Sequence, residues 1–477
     1  MPEAGPPSTE EIAAAIPDEA SQTFIDRFRG EVIRPDDHGY DEARQIWNGM
    51  IDKRPAIIAQ CTGVADVVEA VNFARDNDLL VAVRGGGHNV AGTALCDGGI
   101  VIDLSEMNGV RVDSEEKTVR AGGGATLGDV DRETQVFGLA TPLGVVSKTG
   151  IAGLTLNGGV GHLRRKHGLA CDSLESVDIV TADGAVLTAD HDQHEDLFWA
   201  LRGGGGNFGV VTSFEYRLHA VGPDVFGLFV VHHGDNAVEV FQQFREYAGS
   251  ASENASVLPF YLFVPDTEEF PEEAWGEPAV GVLGCYVGAI DDAEAEFHSL
   301  RSITDPIVDF SGRMPYTELQ TLLDADYPDG RQYYWKATYV DEFTDDLLDF
   351  AVHHGNESPS ALSTVDLWHL GGAISARTQD ATAFWHRDKD FMLTFEANWD
   401  DPDMNDENVA WVREGIDEVR RLEAASGGYG NFPGFNEDPG RAIFGGNYDR
   451  LVEVKTEYDP ENLFRSNQYI APDTDGD

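Results

Sequence analysis

Three glycine clusters, each carrying or flanked by polar side chains, give the clearest chemical signal in this chain. The first, Arg84-Gly85-Gly86-Gly87-His88-Asn89, directly follows the apolar run Leu79-Leu80-Val81-Ala82-Val83. Glycines placed just after a buried strand let the backbone come close to a bound group with its N–H donors exposed, which suits a pyrophosphate. A bare strand connection would use the same residues, and His88 would then be a turn histidine that bonds locally. Two further clusters, Gly150-Ile151-Ala152-Gly153 with Gly158-Gly159-Val160-Gly161, and Gly203-Gly204-Gly205-Gly206-Asn207-Phe208-Gly209, favour a binding role, because a plain core gains nothing from them. None is a GxGxxG turn that opens a helix with an acid about 20 residues further on, so a nicotinamide cofactor is disfavoured.

The elements that must hold these turns are partly readable. Residues 56–59 read as a strand, 64–77 as an amphipathic helix and 79–83 as a buried strand, a βαβ unit that ends on the first glycine cluster. Between 98 and 220, short β-like runs such as 99–104 and 177–182 alternate with glycine clusters. Near 220 the texture changes: a strand at 225–231, a helix at 236–247, a strand at 391–395 and a helix at 408–425 belong to a second region. Residues 448–470 read as a helix and then coil, and residues 1–20 as a short or frayed lead-in. No fixed-period repeat is visible.

Composition bounds the rest. A chain of 477 residues exceeds the usual single-domain range and predicts two interlocked lobes. With 85 acidic against 33 basic residues the formal charge is −52, which disfavours nucleic acid and fits a cell interior of high salt, where self-repulsion is screened. The acids are scattered rather than clustered, so a halophile's enzyme is the expectation. The N-terminal residues lack a basic region followed by an apolar stretch, and no apolar run approaches the ~20 residues of a membrane span, which predicts a soluble, cytoplasmic protein with no membrane partner. Cys61, Cys96, Cys171 and Cys285 show neither CxxC spacing nor a histidine at zinc-ligand distance, so buried free thiols and no metal are expected. Oligomeric state is not encoded in any pattern here.

The order of the motifs resembles a known family. Arg84-Gly-Gly-Gly-His88-Asn89 is followed by Thr141-Pro142-Leu143-Gly144-Val145-Val146-Ser147-Lys148-Thr149-Gly150 and by Arg165-Lys166-His167-Gly168-Leu169-Ala170-Cys171-Asp172. Then come the run from Asp196 to Thr212, which includes Val211, and the closing Asn447-Tyr448-Asp449-Arg450-Leu451 with Lys455 and Tyr458-Asp459-Pro460. Together these resemble the berberine-bridge-enzyme-like FAD oxidases of the vanillyl-alcohol oxidase and p-cresol methylhydroxylase superfamily, over residues 50–470. The resemblance implies an α+β, two-lobed FAD-binding fold of that superfamily's type, with an antiparallel-sheet substrate domain. It assigns 20–220 to the first part of the FAD-binding domain, 221–440 to the substrate domain and 441–477 to a C-terminal segment that returns to the first.

Site residues follow from the same resemblance. His88 matches the position bonded to the flavin 8-methyl carbon, and Arg84, Gly85, Gly86, Gly87, Asn89, Thr149, Gly150, Gly153, Gly161, Val211, Asn447 and Tyr448 match cofactor-binding positions. Where many relatives carry a second, cysteine link, this chain has Val146, which implies a single covalent attachment at His88. Tyr429, in Gly428-Tyr429-Gly430-Asn431, matches a tyrosine proposed as the base that takes the substrate proton. Its pKa would have to fall from about 10, which calls for a neighbouring Lys or Arg. Glu396, which shares a strand face with Thr394, is the reserve candidate, although a lone Glu in so acidic a chain is more often a solvated surface group. Trp385 and Trp399 line a pocket or, more simply, pack in the core. The implied activity is oxidation of a small organic alcohol, sugar or secondary metabolite by hydride transfer to flavin N5, with dioxygen as acceptor. Alternatives are a dehydrogenase that delivers electrons to a quinone or carrier protein, and a flavin-binding module without catalysis.

Overall fold

A computed structural model of the chain describes residues 18–422, 425–437, 439–467 and 470–473. The expected lead-in at 1–20 lies largely outside these residues; within them the chain begins on a helix, Asp18–Arg27. The helix Val64–Asp76 buries Val67, Ala70, Val71 and Ala74, the i, i+3, i+4, i+7 stripe that a core-facing helix needs. It links the strands Ile57–Gln60 and Val81–Arg84, as the periodicity predicts, but these two strands do not pair with each other. Ile100–Asp103 lies between them and pairs in parallel with both. Its four residues are all buried, and the apolar Ile-Val-Ile run meets the demand of a strand covered on both faces. Glu31–Ile33 completes this four-stranded sheet.

A second, five-stranded antiparallel sheet runs in the order Val110–Asp113, Thr118–Gly122, Val210–Arg217, Leu174–Val180, Val186–Asp190. The C-terminal helix Tyr448–Tyr458 packs back onto this part of the molecule, with Leu451 and Val454 in one core with Val119, Leu197 and Phe208. At the helix end Lys455 is fully buried and donates to Asn207 O (2.8 Å), Phe464 O (2.7 Å) and the Asp459 carboxylate (2.6 Å), tying the tail to the third glycine cluster.

The third sheet has nine antiparallel strands. Four helices, Ala237–Ala248, Ile290–Arg301, Asp345–Asn356 and Asn405–Arg421, pack on one of its faces. Strand alternation divides its residues. Leu393, Phe395 and Ala397 join the helix-side core, as do Val365, Leu367 and Tyr334. Their neighbours Met392, Glu396, Asp366, Trp368 and Trp335 face the other way, into a cavity shared with the first lobe. The helix expected at 408–425 starts and ends earlier, at Asn405–Arg421, because Ala425 and Ser426 pair with Val340 and Tyr339 at the sheet edge. Among the described residues no helix is long and apolar enough to cross a membrane.

Candidate functional site

The cavity between the lobes encloses an empty volume of about 1510 Å³ counted out to its open mouth. One wall is backbone-rich: Gly85, Gly86, Gly87, Asn89, Thr149, Gly150, Gly153, Gly206, Gly209 and Val211 line it. Two of these glycines are explained by each other. A Cβ on Gly86 would stand 2.5 Å from the Gly150 nitrogen, and one on Gly150 would stand 2.4 Å from the Gly86 nitrogen, so the two turns can touch only as glycines. Gly153 is different: it lines the cavity and a Cβ there would meet nothing within 4 Å. Packing does not require that glycine, whereas a bound group occupying the space beside it would.

His88 lines the same wall. Its Nε2 is shielded from solvent and has no hydrogen-bond partner, and burial pushes the imidazole pKa down to about 4, so the ring is neutral near pH 7. A neutral imidazole keeps a nitrogen lone pair, the requirement for a nucleophile. Trp47 stacks on the ring with centroids 4.1 Å apart and planes at 15°, and Tyr333 stacks on Trp47 at 3.7 Å. Asn48 locks this stack by donating to Val90 O (2.7 Å) and Tyr333 O (2.9 Å). No glycine or charge pattern marks Trp47 in the sequence, and only the folded chain brings it to His88.

The opposite wall is aromatic and acidic. Tyr327, Trp335, Trp368, Phe432 and Tyr429 line it with Asp366 and Glu396, and no Lys or Arg is among the lining residues. Glu396 is 3% exposed, so the solvated surface role that composition favours does not hold: strand alternation turns its side chain inward. The Tyr327 hydroxyl donates to its Oε2 at 3.1 Å and the Thr394 hydroxyl reaches Oε1 at 3.4 Å. In register, Asp366 pairs with Thr394 and Thr364 with Glu396, which puts the two carboxyl groups on diagonal positions of one face. Burial and the Asp366 carboxyl hold Glu396 well above the ordinary carboxylate range, and burial raises Asp366 as well. Two such groups side by side hold one negative charge between them near neutrality.

Tyr429 also lines the cavity. Its phenolic oxygen accepts from the Val160 backbone N–H at 3.1 Å and from Asn431 Nδ2 at 2.9 Å. These donors favour the phenolate, but burial outweighs them and pushes the pKa up to about 12. The Lys or Arg that a lowered pKa calls for is not among the groups that shift it.

Of the remaining expected positions, Arg84, Gly161, Asn447 and Tyr448 do not line the cavity. Arg84 pairs with buried Asp103 and donates to Ala43 O, which ties the strand end behind the glycine turn. A Cβ on Gly161 would stand 1.8 Å from Leu143 O, a packing constraint. Asn447 donates to Gln379 O (2.8 Å) and Thr382 O (3.0 Å), and the Tyr448 ring lies under the Arg441 guanidinium. These residues hold the walls together without forming them. Val146 lines the cavity, while Cys171 is buried away from it, its thiol pushed up to about 12. All four cysteines are buried and free. Trp399 packs in the helix-side core and donates to Asn405 Oδ1 (2.8 Å), and Trp385 packs against Gly445 and Gly446.

Comparison with known proteins finds the same architecture. Residues 55–190 match the family described as FAD binding domain, and residues 397–471 match that described as berberine and berberine like. The chain is 33% identical to (R)-6-hydroxynicotine oxidase of Paenarthrobacter nicotinovorans, over 93% of this chain and 97% of that one. It is 31% identical to an FAD-linked oxidoreductase of Dictyostelium discoideum, over 94% and 96%. The crystal structure of 6-hydroxy-D-nicotine oxidase from Arthrobacter nicotinovorans superposes with a TM-score of 0.83 at 30% identity, covering 94% of this chain and 98% of that one. Physcomitrella patens BBE-like 1 shares the fold, with a TM-score of 0.85 at 23% identity over 95% and 99%.

Proposed function

The chain belongs to the berberine-bridge-enzyme-like FAD-linked oxidoreductases, and from that premise we propose that it carries FAD on a single covalent link to His88 and oxidises a small organic substrate with dioxygen as final acceptor. FAD, when bound, supplies the hydride acceptor. Residues 20–220 with 441–477 form the proposed cofactor unit and 221–440 the proposed substrate unit. The observation that carries the reading is the placement of His88: neutral, stacked under Trp47, and on a glycine wall whose Gly153 leaves space that packing does not use.

Opposite, the Asp366–Glu396 pair is the proposed proton acceptor. Near neutrality it has one negative charge to neutralise, and both carboxyls are buried on the cavity wall, placed to take a proton from a substrate O–H or N–H. Tyr429, with its pKa up to about 12, is the weaker base and serves better to hold the Val160 turn and Asn431.

Flavin absorbance and fluorescence should stay with the polypeptide after acid precipitation, and His88→Ala should release them entirely. A mass spectrum that shows only the unmodified polypeptide, after expression with ample FAD, overturns the attachment. Oxygen consumption during turnover tests the acceptor: reduced enzyme that stays reduced in air but passes electrons to a quinone removes dioxygen from the proposal.

A further inference from the structure

A contact between the lobes outside the cavity contains a buried carboxyl that the proposed reaction does not use. Asp131 lies on the helix Leu127–Gln135 of the first lobe and shares its buried side with Leu127, Val130 and Thr134. Gln320 follows the helix Tyr316–Leu319 of the second lobe. Each is 2% exposed, and Gln320 Nε2 donates to Asp131 Oδ2 at 2.8 Å. The other oxygen of each group, Asp131 Oδ1 and Gln320 Oε1, is shielded from solvent and has no hydrogen-bond partner. A proton on Oδ1 turns that oxygen into a donor for Oε1, so a neutral acid–amide pair makes two bonds where the ionised pair makes one and leaves two buried acceptors open. Burial raises the Asp131 carboxyl to about 7.

The surroundings add no compensating charge. Tyr316 is the titratable group that meets Asp131 from the second lobe, with Cys285 beyond it, and burial keeps both protonated near neutrality. Glu318 on the Tyr316 helix, Arg111 and Asp113 on Val110–Asp113, Arg120 on Thr118–Gly122, and Arg132 and Glu133 on Asp131's own helix are exposed. Asp129 caps that helix by accepting from Thr126 (2.9 and 2.8 Å), and Leu139–Ala140 carries no charge.

Gln320 begins a segment, residues 320–331, that brings Leu323 and Tyr327 into the cavity lining, where the Tyr327 hydroxyl bonds Glu396. The first lobe holds this segment elsewhere too. Asp324 accepts from Ser147 N (2.8 Å) and Oγ (2.5 Å), Trp47 O accepts from Gly330 N (2.9 Å), and Lys148 pairs with Asp329 at 3.0 Å. Both members of the last pair are more than half exposed, so solvent screens it. Asp131–Gln320 is the fully buried tether whose bonding depends on a proton.

We propose that Asp131 and Gln320 form a proton-dependent latch between the lobes, closed as a neutral acid–amide pair, which positions segment 320–331 and with it Tyr327 in the cavity. The latch goes beyond the oxidase reading and holds whatever substrate or acceptor the cavity serves. Neither residue lines the cavity, so both are positioning residues. As pH rises from about 4, the ordinary carboxyl value that Asp131 regains when the latch opens, through its raised value in the closed latch, the proton leaves, one bond is lost and an uncompensated charge stays buried.

Hydrogen exchange on the purified full-length protein, at fixed ionic strength and corrected for the intrinsic pH dependence of exchange, tests the latch. Protection of the bonded amides in 320–331, among them Asp324, Asp326 and Gly330, should fall by about tenfold or more between pH 5 and pH 8. Segment 370–390, which joins the lobes through the Arg387–Asp172 bonds, should not follow it. Asp131→Asn keeps two bonds at every pH, because its amide donates to Gln320 Oε1 as the acid does, so its protection should stay high and flat. Wild-type protection that is flat over this range, or a fall shared equally by 370–390, overturns the proposal whether or not the variant folds. A fall that survives in Asp131→Asn overturns it as well, because another group would then be titrating.

Discussion

Two buried carboxylate sites in this molecule are built on opposite terms. At the C-terminal helix, Asp459 accepts from Leu463 N and Phe464 N at 2.8 Å each as well as from Lys455, whose other donors are met by Asn207 O and Phe464 O. Both side chains are fully buried and every bond is made within the protein. Asp172 is treated similarly, bound in bidentate fashion by buried Arg387 at 2.7 and 3.0 Å. In the cavity, Asp366 and Glu396 have no cation. The first arrangement fixes the tail and the third glycine cluster in place. The second leaves two buried carboxyls raised by burial and, for Glu396, by its neighbour, the kind of perturbed pair that clusters at reactive sites.

The comparison can be broken most forcefully at the tail. Lys455→Met leaves Asp459 buried beside an apolar side chain, and removing one partner of a buried ion pair costs about 3–5 kcal/mol. Urea unfolding should show a loss of that size, and Asn207 should lose its anchor to the tail. Replacing both partners, Lys455→Met with Asp459→Leu, should recover part of it. A single variant as stable as wild type would mean that the clamp contributes little and that the contrast is one of geometry alone.

Glu396→Gln should do the reverse. The side chain already holds a proton for much of the time, so the amide keeps the Tyr327 bond and the fold keeps its stability, while flavin reduction in anaerobic stopped-flow slows by roughly 10²–10⁴, about 3–5 kcal/mol of barrier. Tyr429→Phe should cost less in the same assay, because it removes an acceptor for Val160 N and Asn431 rather than a base. If Tyr429→Phe is the slower variant, the phenol is the base and the acid pair serves binding alone.

Much of the glycine wall of the cavity is legible in the sequence because glycine turns are local: Gly85 to Asn89, Gly150 and Gly153 announce themselves by composition. The glycine that meets another turn is not told apart from the one that faces the cavity, since the approach of Gly86 to Gly150 is a tertiary fact. The position of Ile100–Asp103 between two strands of a βαβ unit is likewise invisible, as a continuous apolar run fits any buried place in the sheet. The acidic wall is hardest to read. Glu396 shows its strand, but Asp366 becomes its partner only through the pairing of Thr364–His369 with Phe391–Trp399, set across an irregular segment without periodicity. Arg84, Gly161, Asn447 and Tyr448 hold motif positions that point to the cofactor, while their hydrogen bonding and packing lie behind the cavity lining.

The smallest expected effect lies in how stability depends on pH. A carboxyl group whose pKa is raised in the folded protein binds its proton more tightly there than in the unfolded chain, so the native state loses stability as pH rises from the unfolded value near 4 through the folded one. For Asp366 the folded value is raised to about 6, by burial first, so the penalty is absent at pH 4 and fully present by pH 7.5. Asp366→Asn removes the ionisation and should stabilise the protein by about 1–3 kcal/mol at pH 7.5, with the difference from wild type vanishing toward pH 4. Other groups add their own slopes: Asp131, raised to about 7 by burial, bends the curve the same way, and His88, lowered to about 4, bends it the other way. Both are common to variant and wild type, whereas Glu396 loses the Asp366 carboxyl that helps raise it, so the difference between two urea-unfolding series reports the titration of the pair. A variant less stable than wild type at pH 7.5 would show that its carboxylate is satisfied in the folded protein after all, and the cavity pair would then belong with Lys455 and Asp459 among the structural charges.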